Sequence, residues 1–195
     1  MKIFLARHGQ TTGDIENKYG GDYEDHLTPE GIKQAEQLAD KLSGKKIQII
    51  FSSPRVRADE TSEIINKKLN VEVKVREGFR ERNHYGILTG MIKKEAKEKH
   101  SELVGLLKDT KQTIPGGESY EDFGNRIKKA WEEILNVPFN TIAIVSHGGP
   151  IRFIFREILK LGEINIEDCA FAEIDEDHDK FKLTKTDGIT LEVSS

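Results

Sequence analysis

The sequence has a single cysteine, Cys169, among 195 residues. That excludes an intrachain disulfide and a cysteine-ligated metal cluster, and it fits a reducing compartment, the cytoplasm. Long apolar runs are also missing. Nowhere do about 18 apolar residues follow one another, the length a membrane-spanning helix needs. The N-terminal apolar stretch ends at Arg7 and is too short for a signal-peptide core. Nor is there an excess of positive charge. Lys and Arg number 30 against 34 Asp and Glu, for a net charge of −4. No broad basic field is present to attract nucleic acid, so any anion site must be built locally.

What is present is a polar, globular composition, 36% hydrophobic and 33% charged, at a length that can bury a full core. One domain over residues 1–195 is expected, with 76–118 as a cap or insertion segment. Ile3-Phe4-Leu5-Ala6 suits a buried strand. After a polar loop from Gly9 to Leu27, Thr28 and Pro29 open a helix whose inner face is Ile32, Ala35, Leu38, Ala39 and Leu42, stopped by Gly44. Ile47 to Phe51 is a second strand, and Ser53-Pro54 repeats the cap-plus-proline start. Val71, Val73 and Val75 alternate as a half-exposed strand. Residues 93–99 read as a solvated helix. Ser119 and Asp122 form a capping box for the next one. Ile142 to Val145 is a third buried strand, with Pro150 at the first position of the helix behind it. The tail from Phe171 to Val193 reads as antiparallel strands turning at Glu176-Asp177 and Asp187-Gly188. Strands separated by helices predict an α/β fold. The expected form is a three-layer αβα sandwich around a mostly parallel sheet, with a polar helical insertion over the site.

Ligands of such sheets bind beyond the carboxyl ends of the strands. Three places qualify: Arg7-His8-Gly9, Ser52 to Arg57, and Ser146-His147-Gly148-Gly149. Gly9 suits a sharp turn close to a ligand. Arg55 and Arg57 fall in the first turn of a helix starting at Pro54, where cations oppose the helix dipole at about 0.3–1 kcal/mol each. A bound dianion would offset that cost at Arg57, whereas Arg55 is equally well explained by a salt bridge. His147 and Gly148 precede Pro150 at a helix N-terminus, which favours anions. Two imidazoles and two guanidiniums around one anion suit phosphoryl transfer: a neutral histidine attacks phosphorus, and the cations stabilise the equatorial oxygens. The leaving alkoxide needs a proton, and Glu81 is the candidate donor.

The residues also resemble a known family. Leu5-Ala6-Arg7-His8-Gly9-Gln10-Thr11, Leu27-Thr28-Pro29-Glu30-Gly31, Ser52 to Ala58, Pro115 to Ser119 and Val145 to Gly149 occur in order. Together they are similar to the signatures of the histidine phosphatase superfamily, specifically its phosphoglycerate-mutase-like branch. The resemblance implies that His8 is the phosphorylated nucleophile. It implies that Arg7, Arg57 and His147 form the phosphate pocket, and that no metal or cofactor takes part.

Two positions depart from the family's pattern. Asp14 stands where the family often has a phosphate-binding Asn. With Asp22, Glu24 and Asp25 it suggests a substrate without a second anionic group, unless Asp22 to Asp25 are simply a solvated acidic loop. Strict spacing from Gly86 would place the family's acidic residue at Arg82, so Glu81 requires a one-residue bulge; His84 is the fallback donor. Phosphomonoester hydrolysis is the leading expectation. Its alternatives are a cofactor-dependent phosphoglycerate mutase and a catalytically weak phospho-ligand binding protein. A metallohydrolase on His8, His147, Asp14 and His26 lacks a compact ligand pair. The expected partner is a small-molecule phosphoester, not nucleic acid or a membrane. A homodimer through the tail strands is left open.

Overall fold

The computed structural model describes residues 1–178 and 180–192. Val193, expected in the last strand, lies outside the described residues. The apolar run at the start becomes β1 (Lys2–Arg7). It pairs in parallel with β4 (Thr141–Ser146) and antiparallel with β5 (Ile164–Asp177). Among the described residues the sheet has six strands in the order β3-β2-β4-β1-β5-β6. Here β2 is Ile49–Ser52, β3 Glu72–Val75 and β6 Lys180–Leu191. β1, β4, β2 and β3 are mutually parallel. Because β1 and β4 sit inside the sheet, they are apolar on both faces, as a covered parallel sheet requires.

Successive side chains of a strand point to opposite faces. Ile3 and Leu5 join Ile142 and Ile144 in one core layer, while Phe4 and Ala6 join Ala143 and Val145 in the other. The second layer is covered by α2 (Pro29–Leu42) and α3 (Val56–Leu69), through Ala35, Leu38, Leu42, Ala58 and Ile65. The first is covered by α6 (Tyr120–Leu135) and α7 (Gly148–Phe153), through Phe123, Ile127, Trp131 and Phe153. Each fully buried Leu, Ile or Phe contributes roughly 1.5–3 kcal/mol. The expected αβα sandwich is the observed one. A short α1 (Thr12–Ile15) interrupts the Gly9–Leu27 loop. In the 76–118 segment, α4 (Lys93–Lys99) and α5 (Ser101–Leu106) pack with Leu88 and Ile114 into a small separate cluster. No helix among the described residues is long and apolar enough to cross a membrane.

Several local expectations need correction. Ile32 is 42% exposed; the close approach of α2 to the loop before it places Gly31 inward instead. α3 starts at Val56 with Arg55 as its N-cap, because Ser53 is used elsewhere, as shown below. Pro150 stands at the third position of α7, behind an N-cap at His147. Past Phe153 that helix widens into a π-turn, with the Leu159 amide on the Ile154 carbonyl. Asp122 accepts the Ser119 hydroxyl proton rather than completing a reciprocal capping box. The Asp187-Gly188 turn does not exist. β6 runs through it, pairing Asp187 with Phe171 and Ile189 with Ile166. The irregularity is on the partner strand, where β5 bulges between Ile166 and Phe171 with Cys169 at φ +53°.

Candidate active site

Parallel register brings the ends of β1, β2 and β4 to one edge. Arg7 pairs with Ser146 and Ser52 with Val145. The His8 amide donates to the Ser146 carbonyl and the Ser53 amide to the Val145 carbonyl. All three places picked out in the sequence therefore meet. They open into a cavity of about 340 Å³ whose lining includes Arg7, His8, Asp14, Arg57, Glu81 and Gly148.

The His8 ring is buried, and its Nδ1 lies 2.8 Å from the Gly9 carbonyl oxygen. A carbonyl only accepts, so Nδ1 carries the proton and Nε2 carries the lone pair. Arg57 Nε–H donates to that Nε2 at 3.2 Å, which requires the same tautomer. Burial, with the charges of Arg57 and Arg7, holds the His8 imidazole well below its ordinary pKa. His8 is thus a neutral imidazole whose Nε2 lone pair accepts the Arg57 N–H.

His147 is fully buried, with its ring 5.0 Å from that of His8. Its Nε2 lies 2.6 Å from Ser53 Oγ. Ser53 Oγ also accepts the Arg55 amide; where the serine proton goes to His147 Nε2, the His147 proton sits on Nδ1. That Nδ1 is buried without a hydrogen-bond partner among the described residues. Burial first, then Arg57 and His8, push this imidazole well below its usual pKa too. At neutral pH it is an uncharged imidazole.

Arg57 is 4% exposed and held by loop carbonyls, Nη1 on Tyr23 and Nη2 on Gly21. Arg7 donates Nη1 to the Ile166 carbonyl and pairs Nη2 with Asp168 at 3.0 Å. Its Nε is buried and unpartnered. Arg55 pairs with Asp22 and Glu24, so the salt-bridge explanation holds there. Asp25 accepts from Thr12, the Gly13 amide and Tyr23. Asp22 and Asp25 are therefore engaged by the protein, while Glu24 remains exposed beside Arg55. Asp14 lines the cavity while its Oδ2 accepts the Thr11 amide and hydroxyl.

Glu81 faces the cavity, with Oε2 accepting the Gly149 amide at 3.1 Å and Oε1 the Arg82 amide at 2.8 Å. The helix start expected to favour an anion thus has its Gly149 amide engaged by a carboxylate of the protein itself. Neighbouring Arg82 directs its guanidinium to the Glu118, Thr110 and Gln112 carbonyls. His84 also lines the cavity, with burial lowering its pKa. His26 pairs with Glu60 at the surface, apart from the cavity lining. Gly9 makes room for protein rather than ligand: a Cβ there would stand 2.6 Å from the Gly31 carbonyl oxygen.

Ser53, Asp168 and the Cys169 amide, which donates to the His8 carbonyl, were not legible as site residues. Ser53 carries the signal of a helix cap. Asp168 lies 161 residues from Arg7, with no spacing rule to connect them.

A family model for the histidine phosphatase superfamily (branch 1) matches residues 3–187. The chain belongs to that superfamily. Among superfamily relatives, phosphoserine phosphatase 1 of Hydrogenobacter thermophilus is 32% identical over 162 residues, covering 82% of this chain and 76% of the relative. A 2,3-bisphosphoglycerate-dependent phosphoglycerate mutase of Cytophaga hutchinsonii is 29% identical over 179 residues, 88% and 82% of the two chains. The crystal structure of an alpha-ribazole phosphatase from Shigella flexneri superposes with a TM-score of 0.87. It covers 100% of both chains at 20% identity, a likeness of fold.

Proposed function

We propose that this histidine phosphatase superfamily member hydrolyses small phosphomonoesters through a phosphohistidine on His8 Nε2, without a metal. The observation that carries the reading is the His8 tautomer. The Gly9 carbonyl fixes the proton on Nδ1, and Arg57 meets the remaining lone pair.

In the first half-reaction the Nε2 lone pair attacks phosphorus in line, and the phosphorus–oxygen bond to the leaving group breaks. Arg7, Arg57 and the His147 Nδ1–H stabilise the three equatorial oxygens, whose charge grows in the transition state. Glu81 delivers a proton to the departing alkoxide. In the second half-reaction a water attacks the phosphohistidine, Glu81 takes its proton, and His8 returns to neutral. Gly148 and Asp14 border the phosphate, Asp14 as an acceptor only. The 76–118 segment serves as the cap that shapes the leaving-group space.

Relatives act on both sides of the hydrolase–mutase divide. The two chemistries share the first half-reaction and differ in whether water or an acid phosphate accepts the phosphoryl group. The test is phosphate release from a panel of phosphomonoesters, including 3-phosphoglycerate, in EDTA, with His8→Ala alongside. Release by wild type, lost in the variant and accompanied by an acid-labile phosphoenzyme, is expected. Phosphate release that survives His8→Ala, or that EDTA abolishes, overturns the reading. Isomerisation without release selects the mutase.

A further inference from the structure

Arg57 and Glu81 both line the cavity, and they come from different segments. The Arg57 guanidinium is held by the Tyr23 and Gly21 carbonyls, at 2.7 and 2.8 Å. Each of those carbonyls belongs to the peptide unit directly before an acidic residue, Asp22 or Glu24. Arg55, at the start of α3, grips both acidic side chains. Its Nε donates to Asp22 Oδ1 and its Nη1 to Glu24 Oε1. A peptide unit is planar, so fixing Asp22 and Glu24 limits how the two carbonyls can turn. The other Asp22 oxygen, Oδ2, accepts Arg80 Nε at 3.2 Å, and Arg80 directly precedes Glu81. Arg80 Nη2 donates to Glu118 Oε1 at 3.3 Å. Arg126 of α6 takes both Glu118 oxygens, at 2.9 and 2.6 Å. Its Nη1 donates to the Gly78 and Arg80 carbonyls, and the latter belongs to the peptide unit that carries the Glu81 amide. Charge therefore alternates through Glu24, Arg55, Asp22, Arg80, Glu118 and Arg126, from the loop that holds Arg57 to the segment that carries Glu81. Asp22, Arg80 and Glu118 are half-buried, where salt and water screen an ion pair less than at the surface. None of the six is among the residues lining the cavity, so any effect on the chemistry passes through their neighbours.

On the hydrolase reading, we infer that the Asp22–Arg80 ion pair is a positioning strut. It sets the separation between Arg57, which meets the transferred phosphoryl group, and Glu81, which meets the leaving oxygen. Each wall has local anchors of its own. Arg57 keeps its two carbonyls when the strut is cut, with Arg55 still on Glu24. Glu81 keeps the Gly149 and Arg82 amides. Cutting the strut therefore leaves each group in place within its own wall and lets the walls shift against each other. The phosphate pocket, built mostly on one side, is little affected. Proton delivery spans both sides and needs a donor within hydrogen-bond reach of the leaving oxygen. Asp22 and Arg80 act through Arg57 and Glu81 and touch no reacting atom.

Two kinds of ester separate proton delivery from the rest of the reaction. One is the alkyl phosphate of the panel that wild type turns over fastest, whose alkoxide needs a proton. The other is p-nitrophenyl phosphate, whose phenolate leaves without one. Wild type, Asp22→Asn, Arg80→Gln, the double variant and Arg80→Lys are compared by kcat and KM. Orthovanadate inhibition reports on the phosphate pocket and the thermal midpoint on folding. Each single neutralising variant is expected to lower kcat on the alkyl ester by about tenfold to a hundredfold. Turnover of p-nitrophenyl phosphate and vanadate inhibition should change little. The double variant should lose little more than either single one, and Arg80→Lys should recover part of kcat. With Glu81→Gln already present, Asp22→Asn should cost nothing further on the alkyl ester. Arg80→Gln tests the strut from the other wall if Asp22→Asn folds poorly. Losses of equal size on both esters mark a structural role and overturn the strut while leaving the hydrolase intact. Wild-type kinetics in both single variants, or losses that multiply in the double variant, do the same. Release of phosphate from no ester by wild type overturns the hydrolase reading and the strut with it.

Discussion

The Glu81 carboxylate accepts the Gly149 amide at 3.1 Å, and the space it occupies is the space a side chain on Gly149 would fill. Glu81 and the turn carrying His147 therefore fit only as a pair. Gly149→Ala keeps Glu81 in the sequence but pushes its carboxylate aside. Glu81→Gln is expected to lower kcat by roughly 10²–10⁴ on alkyl phosphates, the usual range for a general acid. Gly149→Ala should give part of that loss, and the double variant little beyond Glu81→Gln alone. Steady-state kinetics over the cycle check this; additive losses would separate the two residues.

Ser53 Oγ lies 2.6 Å from His147 Nε2 and holds the ring in place. Ser53→Ala leaves a buried nitrogen unsatisfied, at about 1–3 kcal/mol. A lower thermal midpoint and weaker inhibition by orthovanadate, which reports on the His147 Nδ1 donor, are expected together. Unchanged vanadate affinity would separate Ser53 from the phosphate pocket.

Both imidazoles are held below their unfolded pKa of about 6.5. Above that pH folded and unfolded chains are equally unprotonated at these sites. As pH falls below it, the unfolded chain takes up protons that the folded chain refuses, and stability drops by at most about 1.4 kcal/mol per pH unit for each histidine. Urea unfolding between pH 7 and 5.5, at the low end of which most carboxylates remain charged, should show this fall. His147→Gln should show a shallower one. The neutral His8 also keeps kcat/KM from collapsing near pH 6.5 on its acid side.

Arg7 is held by the β5 bulge through the Ile166 carbonyl and Asp168, and the same bulge supports His8 through the Cys169 amide. Asp168→Asn keeps the shape but removes the charge. Breaking a half-buried pair of this kind should reduce kcat/KM by about tenfold and raise the inhibition constant of phosphate, with Asp168→Glu recovering part of it. Kinetics indistinguishable from wild type would show that the carbonyl alone holds Arg7.

Gly9 and Gly31 lie where the loop after β1 meets α2. A Cβ on either would press on the other segment's backbone carbonyl. Gly9→Ala is expected to destabilise by about 1–3 kcal/mol, measured as a shift of the urea midpoint with an unchanged slope.

The sequence by itself determined the αβα layering and the three strand ends that meet at the candidate site. Those features rest on short-range causes. Apolar runs buried on both faces make the inner strands, and proline or a capping hydroxyl at Thr28 and Ser119 makes a helix start. Arg7-His8 and Ser146-His147 lie directly at strand ends, so parallel register alone delivers them to one edge. Tertiary structure decided everything that joins distant segments. Ser53 became a histidine partner instead of a helix cap because β2 ends beside β4. The Asp187-Gly188 pair became a strand because the extra residues lie in β5. The acidic loop lost its apparent message because Arg55, Arg80 and the α1 backbone consume its charge. A residue's hydrogen-bonding capacity is written in its side chain, but the partner that uses it is chosen by packing.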